Sequence, residues 1–250
     1  MKGVLEIMNA VKKPTAAILA RRFVDAHYPG CKSALLVGSA VNGIVRAHSD
    51  LDVVILDDSL QHAYRESVTY RGQPFEVFVL KQSDIPGMFS SASESGTGAF
   101  LRMCAEGRIL RDDSIGTGAA IKSAASRAWR SGPPNWTLDE IDRARYEISD
   151  DLYDLIDARS RGAILFCAVS LLPKTAGFIL RVNNQWSGVG KWQLRALREY
   201  DSRAAAALAG AADQLFLRKR KEPLVRFIKQ TLAPYGGPLQ EGYREYGQQG

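Results

Sequence analysis

The chain has 250 residues, 46% of them hydrophobic, which suits one large or two modest domains with a packed core. Its cysteines, Cys31, Cys104 and Cys167, are odd in number and lack CxxC spacing, which argues against a disulfide framework and against a zinc site. No uninterrupted apolar run approaches the roughly 18 residues of a membrane span, and charges break up the N-terminal segment. These features favour a soluble, cytoplasmic protein without a membrane partner.

The net charge is +6, and most of the positive excess lies in the C-terminal half, above all in the basic run from Arg218 to Lys229. Such a run could attract phosphates or nucleic acid, although a solvated helix face is the commoner explanation. The histidines, His27, His48 and His62, have no HExxH or HxH spacing. Their spacing argues against an imidazole metal site and against a Ser-His-Asp triad.

Helices and strands alternate in the first half of the sequence. A helix is predicted from about Thr15 to His27, and strands are predicted for the segments SALLVG, LDVVIL and PFEVFVL. A polar stretch separates the last two strands. The segment KQSDIPGMFSSASESGTG is expected to be a loop, and AFLRMCAEGRIL is expected to be helical. This alternation is typical of an α/β pattern.

The segment SGPPNW, at residues 131–136, marks a predicted boundary between domains at 1–130 and 137–250. Thr137 and Glu140 then form the Thr-x-x-Glu pattern of a helix capping box. An amphipathic helix is predicted after them from its apolar spacing. Further helices are predicted at about 162–182, 191–200, 202–217 and 223–232, so the second half is expected to be a helical bundle.

Two aspartates stand at the start of the strand LDVVIL. Successive strand side chains alternate between faces, so Asp50 and Asp52 are expected to point the same way. Two such carboxylates are costly unless a cation lies between them. Glu76 supplies a third acid, between Phe75 and Val77 on an expected neighbouring strand. Because oxygen ligands without histidine or cysteine favour Mg²⁺, the three acids predict a magnesium site.

Gly38 and Ser39 form a turn directly after the first predicted strand. A glycine there gives backbone N–H groups room to approach a phosphate, and the serine hydroxyl can donate alongside. The Gly-Ser turn, the aspartate pair and the distant acid together indicate a metal-dependent phosphoryl or nucleotidyl transfer centre.

The segments GSAVNGIVRAHSDLDVVIL and FEVFVL resemble the nucleotidyltransferase superfamily, which is DNA polymerase β-like and shows Gly-Ser, Asp-x-Asp and a later acid between hydrophobic residues. Within it, the chain is similar to the streptomycin/spectinomycin adenylyltransferases, which share the GSAV-x-G, SD-x-D and EV blocks. The resemblance is close over Val37–Leu80 and loose over the helical half. It implies an α+β fold, with an N-terminal mixed β-sheet and flanking helices followed by a C-terminal α-helical bundle domain.

The resemblance also implies an activity and its catalytic residues. AMP would be transferred from ATP to a hydroxyl of a small-molecule acceptor, such as an aminoglycoside, with release of pyrophosphate. Asp50 and Asp52 would hold two Mg²⁺ ions, a number that suits in-line displacement at a phosphate. Glu76 would be the general base and would also touch the metal.

Phosphate contacts are implied for residues in both halves of the chain. By the resemblance, Gly38, Ser39 and Ser49 would contact the triphosphate. Arg181 and Lys191 resemble an arginine and a Gly-Lys lysine with which the helical domain of these enzymes reaches the triphosphate. Snorkelling surface residues are the alternative for both basic side chains.

The acceptor could be recognised by the helical half. Asp150, Asp154 and Asp157 are spaced to share one helix face that would suit a cationic aminoglycoside, although an acidic face is usually just solvated. Three tryptophans could stack on a sugar or adenine or serve as core anchors, namely Trp136, Trp186 and Trp192.

Two alternative functions stay open. One is an antitoxin-like nucleotidyltransferase that modifies a protein or an RNA, which the basic run would favour. The other is a nucleotide-binding regulator without catalysis, which the presence of all three acids disfavours.

Overall fold

The structure is a computed structural model that describes residues 15–42 and 49–245. The N-terminal segment, His48 with the rest of the GIVRAH portion of the resembling motif, and the final residues 246–250 lie outside the described residues. The described chain divides into two compact units. The sheet unit contains the residues up to Ser91 and Ala99–Arg130, and the helical unit contains Ala92–Gly98 and the residues from Ser131 onward. The two domains at 1–130 and 137–250 stay a prediction.

The sheet unit contains a mixed sheet of five strands among the described residues, in the order β3-β4-β2-β1-β5. β2 runs parallel to β4, and every other neighbouring pair is antiparallel. The strands are β1 (Ser33–Val37), β2 (Leu51–Leu56), β3 (Tyr64–Tyr70), β4 (Gln73–Leu80) and β5 (Arg108–Arg111). The α+β class with a mixed sheet, flanking helices and a helical C-terminal part is confirmed.

Helices α1 to α4 and two short 3-10 helices connect or flank these strands. They are α1 (Ala16–His27), α2 (Ile85–Ser95), α3 (Ala99–Glu106), α4 (Thr117–Ser131), and the 3-10 turns Gly38–Asn42 and Gln82–Asp84. The expected loop after β4 is wrong, because it contains α2. The expectation of helix throughout AFLRMCAEGRIL is also wrong, since α3 ends at Glu106 and the next residues form β5.

The core of the sheet unit forms because β1 and β2 are apolar on both faces. All of β1 is buried, and α1 covers the sheet with Ala20, Phe23 and Val24. Phe23 stacks on Phe75 of β4 with ring centroids 4.4 Å apart. These contacts make β2 and β4 a rigid pair, which fixes the side chains at their ends.

The second half of the described chain is helical, and its predicted helices are confirmed to within a residue or two. They are α5 (Leu138–Asp157), α6 (Arg161–Val182), α7 (Lys191–Tyr200), α8 (Ser202–Arg218) and α9 (Glu222–Leu232), followed by the 3-10 turn Ala233–Tyr235. The predicted capping box is present, because the Glu140 carboxylate accepts from the Thr137 backbone N–H and the Thr137 hydroxyl accepts from the Glu140 N–H.

Long-range hydrogen bonds hold α5 at its C-terminal end and in its middle. Lys221 donates from Nζ to carbonyl oxygens in the last turn of α5 and at its C-cap, at 2.7 to 3.1 Å, and so satisfies carbonyls at the helix end. Arg145 donates from Nε and Nη2 to the Gly237 carbonyl, at 3.1 and 3.0 Å. The Leu239 N–H donates to the Ser149 hydroxyl at 2.8 Å. The bonds of Arg145 and Ser149 tie the C-terminal segment to the middle of α5.

Helix α6 is long and apolar enough to cross a membrane by length and composition, with a mean hydropathy of 1.9 over its best window. The uninterrupted apolar run is shorter than a membrane span, and α6 reaches this length because the helix continues through Pro173 and Lys174. Leu171, Phe178 and Leu180 of this helix lie in the hydrophobic core of the helical unit. The core helix of a soluble protein has the same composition, and α6 is the one helix of this kind in the part of the chain that the structure describes.

Candidate metal centre

Three acidic side chains meet where the start of β2 pairs with the middle of β4. Asp52 lies directly opposite Glu76 in the parallel pairing of β2 with β4, and Asp50 precedes β2 by one residue. One carboxylate oxygen from each residue lies within 4.8 Å of the others, so the three could hold a metal ion. The structure thus brings together the three acids that the sequence singles out.

The three carboxylates differ in burial. Asp50 is exposed, whereas Asp52 and Glu76 are half-buried. Burial, together with the charges of Asp50 and Glu76, raises the pKa of Asp52 to about 7, and the Arg65 guanidinium opposes this rise. A carboxyl with this pKa is substantially protonated at neutral pH. A bound cation would remove the repulsion that holds the proton there.

Gly38 fits closely against Asp52. The antiparallel pairing sets Val37 opposite Asp52, so the residue after Val37 turns beside that carboxylate. Gly38 has a φ of +70°, and a Cβ built there would lie 2.1 Å from Asp52 Oδ2. Both its backbone conformation and its surroundings therefore require glycine. The Gly-Ser turn gives the Asp52 carboxylate room.

The two predicted serines border the centre. Ser39 is half-buried in the 3-10 turn that begins at Gly38. Ser49 immediately precedes Asp50, and its carbonyl accepts a hydrogen bond from Gln73 Nε2 at 2.7 Å. Their proximity to the acids along the chain is as the sequence predicts, and their contact with a triphosphate stays a prediction.

Arg65 is a member of the centre that the sequence analysis missed. It lies on β3 and donates to Glu76 Oε1 from Nε at 2.7 Å and also from Nη2. Its guanidinium lies over the Phe78 ring, 5.1 Å from the centroid. Arg71 and Gly72 both have positive φ in the two-residue turn between β3 and β4. Gly72 is a sequence signal for this hairpin, because glycine favours such turns, but it does not fix which residue of YRESVTY meets Glu76.

The donor set fits magnesium. Among the described residues, the group that could share a metal ion consists of three carboxylates, and hard divalent cations prefer carboxylate oxygens. Burial first, and then the charges of Asp50 and Glu76, raise the pKa of Asp52, and a cation bound between the acids would lower it. Asp50, Asp52 and Glu76 are therefore the residues that would hold the ion.

Arg181 and Lys191 lie in the helical unit. Arg181, on α6, is 6% exposed and donates from Nη2 to the Pro134 carbonyl at 3.0 Å. Within the described residues its buried Nη1 has no hydrogen-bond partner, and burial lowers the pKa of its guanidinium. Lys191 is exposed in the first turn of α7, with Nζ 5.5 Å from the Trp192 ring centroid. The buried arginine is the stronger anion-binding candidate of the two.

A pocket of about 330 Å³ in the helical unit includes Arg181. Its other lining residues are polar, charged or aromatic side chains with a few small ones, namely Ser95, Trp136, Glu140, Arg143, Ala144, Glu147, Ile148, Lys174, Gly177, Phe178 and Ser187. Arg181 lies over the Trp136 ring, 5.3 Å from its centroid. Trp136 is thus the predicted tryptophan that lines a pocket, whereas Trp186 is buried and Trp192 is exposed on α7.

The predicted acidic face of α5 is present but solvated. Asp150, Asp154 and Asp157 are all exposed. Glu147, one turn earlier, lines the pocket described above. An acidic contribution to a binding pocket therefore comes from a neighbouring position of α5 that the sequence analysis did not single out.

No protein-family model matches the chain, and no curated protein matches its sequence. Eight chains of solved structures match it. One is a nucleotidyltransferase-like protein from Exiguobacterium sibiricum 255-15, with 10% sequence identity and a TM-score of 0.45, over 87% of this chain and 74% of that chain. A likeness this distant carries no function to this chain, so a function has to be inferred from the residues of the metal centre.

Proposed function

We propose that the chain is a metal-dependent nucleotidyltransferase that transfers AMP from ATP to a hydroxyl of a small-molecule acceptor and releases pyrophosphate. The observation that carries this proposal is the meeting of Asp50, Asp52 and Glu76 within 4.8 Å on the parallel pair of strands β2 and β4. Gly38 supports it, because only a glycine leaves room for the Asp52 carboxylate at this turn.

Each acid has a proposed role. Asp50 and Asp52 bind Mg²⁺, with two ions proposed, and Glu76 takes the proton of the acceptor hydroxyl and also touches the metal. When bound, Mg²⁺ stabilises negative charge on the attacking and leaving oxygens. The acceptor oxygen bonds to the α-phosphorus as Glu76 takes the hydroxyl proton. The bond from the α-phosphorus to the bridging oxygen breaks, and pyrophosphate leaves with that electron pair.

Phosphate contacts are proposed from both units. Gly38 lies against Asp52, Ser39 follows it in the same turn, Ser49 directly precedes Asp50, and all three are proposed to contact the triphosphate. Arg181 is proposed as a further phosphate contact because a buried guanidinium with an unsatisfied Nη1 gains stability from an anion. Lys191 is proposed with it on the resemblance and on its exposure.

The acceptor is proposed to be a small molecule such as an aminoglycoside, on the strength of the sequence resemblance. Trp136 supports a sugar ligand, because it gives the pocket in the helical unit an aromatic wall on which a sugar ring can stack. The proposal includes action in the cytoplasm, where ATP is available.

A second candidate is the modification of a protein or an RNA. The observation in its favour is the exposure of Arg218, Lys219 and Arg220 after α8, together with Arg226 and Lys229 on α9. Cationic surfaces of this kind attract the phosphates of nucleic acids. The third candidate, a nucleotide-binding regulator without catalysis, would use the same metal centre without turnover.

The first test is pyrophosphate release from each of the four nucleoside triphosphates with Mg²⁺. The acceptors are a panel of aminoglycosides in one arm and total RNA or protein extract in the other. Asp52→Asn is the inactive control, and Asp57→Asn is the matched control, because Asp57 directly follows the other end of β2 and accepts from Ser59.

Release with an aminoglycoside that Asp52→Asn abolishes and Asp57→Asn retains would support the small-molecule function. Release in the extract alone would favour the macromolecular acceptor. Magnesium-dependent ATP binding without turnover would favour the regulator. Absence of both turnover and metal-dependent nucleotide binding would contradict the proposed function altogether.

A further inference from the structure

Arg65 reaches the metal centre across a strand pair. In the antiparallel pairing of β3 with β4, Arg65 lies opposite Phe78, and Glu76 is two residues away on the same face. Diagonal neighbours at this spacing are within reach of long side chains. The Phe78 ring supports the guanidinium, which therefore approaches Glu76 in a fixed orientation.

Both bonds from Arg65 end on the same oxygen. Nε donates to Glu76 Oε1 at 2.7 Å, and Nη2 donates to it as well. A carboxylate oxygen offers about two lone-pair sites. Two N–H donors fill them, so a cation that binds through Oε1 must displace at least one donor.

The two partners differ in exposure. The Arg65 side chain is 62% exposed, whereas the Glu76 side chain is 18% exposed. Arg65 can therefore move into water at little cost, because an exposed guanidinium stays hydrated. Glu76 has no such freedom and requires a positive partner where it lies. A second cation can therefore replace the Arg65 guanidinium at Glu76.

We propose that Arg65 is a positioning residue of the metal centre, which holds Glu76 and competes with a divalent cation for its Oε1. The inference rests on the proposed function, because it assumes that Asp50, Asp52 and Glu76 bind metal. Arg65 lowers the affinity of the centre for the cation. The exchange transfers Glu76 Oε1 from the Arg65 guanidinium to the cation.

The test is direct Mn²⁺ binding by the full chain, measured as free Mn²⁺ by electron paramagnetic resonance without nucleotide. The variants are Arg65→Gln, which removes the positive charge and the guanidinium with its two donors, and Arg65→Lys, which keeps the charge. Arg71→Gln is the matched control, because Arg71 lies in the same hairpin and its guanidinium lies over the Tyr70 ring. Asp52→Asn reports whether binding uses the centre, and thermal melting reports folding.

The expected result is about tenfold tighter Mn²⁺ binding in Arg65→Gln, since a nearby positive charge and two competing donors are removed. Arg65→Lys is expected to bind more tightly than the wild type but less tightly than Arg65→Gln. Arg71→Gln is expected to stay within about twofold of the wild type, because solvent screens its charge. A purely structural Arg65 would give weaker binding in both of its variants.

Two outcomes would overturn the inference, and they are distinguishable. If Asp52→Asn abolishes Mn²⁺ binding while Arg65→Gln leaves it unchanged or weaker, the metal centre stands and the role of Arg65 is wrong. If no protein binds Mn²⁺ in a manner sensitive to Asp52→Asn, the metal centre and the proposed function are both wrong. Should Arg65→Gln melt early, the comparison of Arg65→Lys with Arg71→Gln decides between the outcomes.

Discussion

The sheet unit and the helical unit each hold a charge that their surroundings do not balance, and the signs are opposite. In the sheet unit, burial with the charges of Asp50 and Glu76 raises the pKa of Asp52 to about 7. In the helical unit, burial lowers the pKa of Arg181, and no described residue accepts a hydrogen bond from its Nη1. Each arrangement destabilises the folded chain and would be relieved by a ligand of opposite charge. The contrast indicates that a cation would bind in the sheet unit and an anion in the helical unit.

The largest expected effect is on catalysis in the sheet unit. Glu76→Gln preserves the shape of the side chain but removes the proposed proton acceptor, so nucleotidyl transfer should fall by about a thousandfold. Nucleotide binding should persist, because Gly38, Ser39 and the basic residues are unchanged. Steady-state turnover and equilibrium ATP binding check this together. An unchanged turnover number would remove Glu76 from the proposed mechanism.

The second prediction compares Gly38 with a glycine in a turn away from the acids. Gly38→Ala should weaken Mn²⁺ binding by at least about tenfold, because the new Cβ would force Asp52 out of position. Gly72→Ala is the matched control, since Gly72 has a similar φ of +77° and a Cβ added there would meet no atom within 4 Å. Both variants should lose about 1 kcal/mol of stability from backbone strain. Equal metal affinities in the two variants would contradict the role of Gly38.

The third prediction concerns the free energy of unfolding of Asp52→Asn as a function of pH. Because the folded pKa of Asp52 is about 7 and the ordinary value is 3.8, the folded state holds a proton that the unfolded state loses between those pH values. Wild-type stability should therefore decline as pH rises from about 4 to about 7 through this group. Asp52→Asn should lack that decline and be more stable by about 2 kcal/mol above pH 7.

Urea unfolding at pH 4.5 and pH 8 measures this difference. The gain in Asp52→Asn should nearly vanish at the lower pH, where the wild-type carboxyl is protonated in the folded state. A gain of equal size at both values would show that packing, and not the charge of Asp52, is responsible.

The smallest effect tests the helical unit. Pyrophosphate without metal should raise the melting temperature of the wild type by roughly 2 °C, because an anion would pair with the unsatisfied Nη1 of Arg181. Arg181→Met should lose this shift while being no less stable without ligand. Arg198→Met, which removes an exposed charge on α7, should retain the shift. If Arg181→Met keeps the shift in melting temperature, Arg181 is not the group that binds the anion.

The metal centre was largely predictable from sequence because its signal is local. Asp50 and Asp52 stand two residues apart before an apolar strand, and Glu76 interrupts another, so strand periodicity alone predicts a shared face. Gly38 was predicted from its turn as a phosphate contact, whereas its close fit against Asp52 was not predicted. Arg65 was not predicted, because its contact with Glu76 depends on the register of β3 against β4. The segment YRESVTY is also too polar to signal a buried strand.

The errors in the first half have separate physical causes. The small polar residues after β4 indicated a loop, yet α2 includes them, and its Pro86 lies in the first turn, where proline is tolerated. Gly107 alone lies between α3 and the short strand β5, and four strand residues are too few for periodicity to distinguish a strand from a continued helix. The helical half was easier, since Thr137 and Ser160 mark the starts of α5 and α6 as capping residues.

The bonds that hold α5 also bear on how the chain folds. Arg145 meets Gly237 across 92 positions, and Ser149 meets Leu239 across 90. Closing loops of this size carries an entropy cost that local helix formation does not, so these contacts should form late in folding. The helical unit therefore combines fast local helices with slow final closure. Until the C-terminal segment docks, the middle of α5 should exchange its amide hydrogens more readily than its apolar packing alone would suggest.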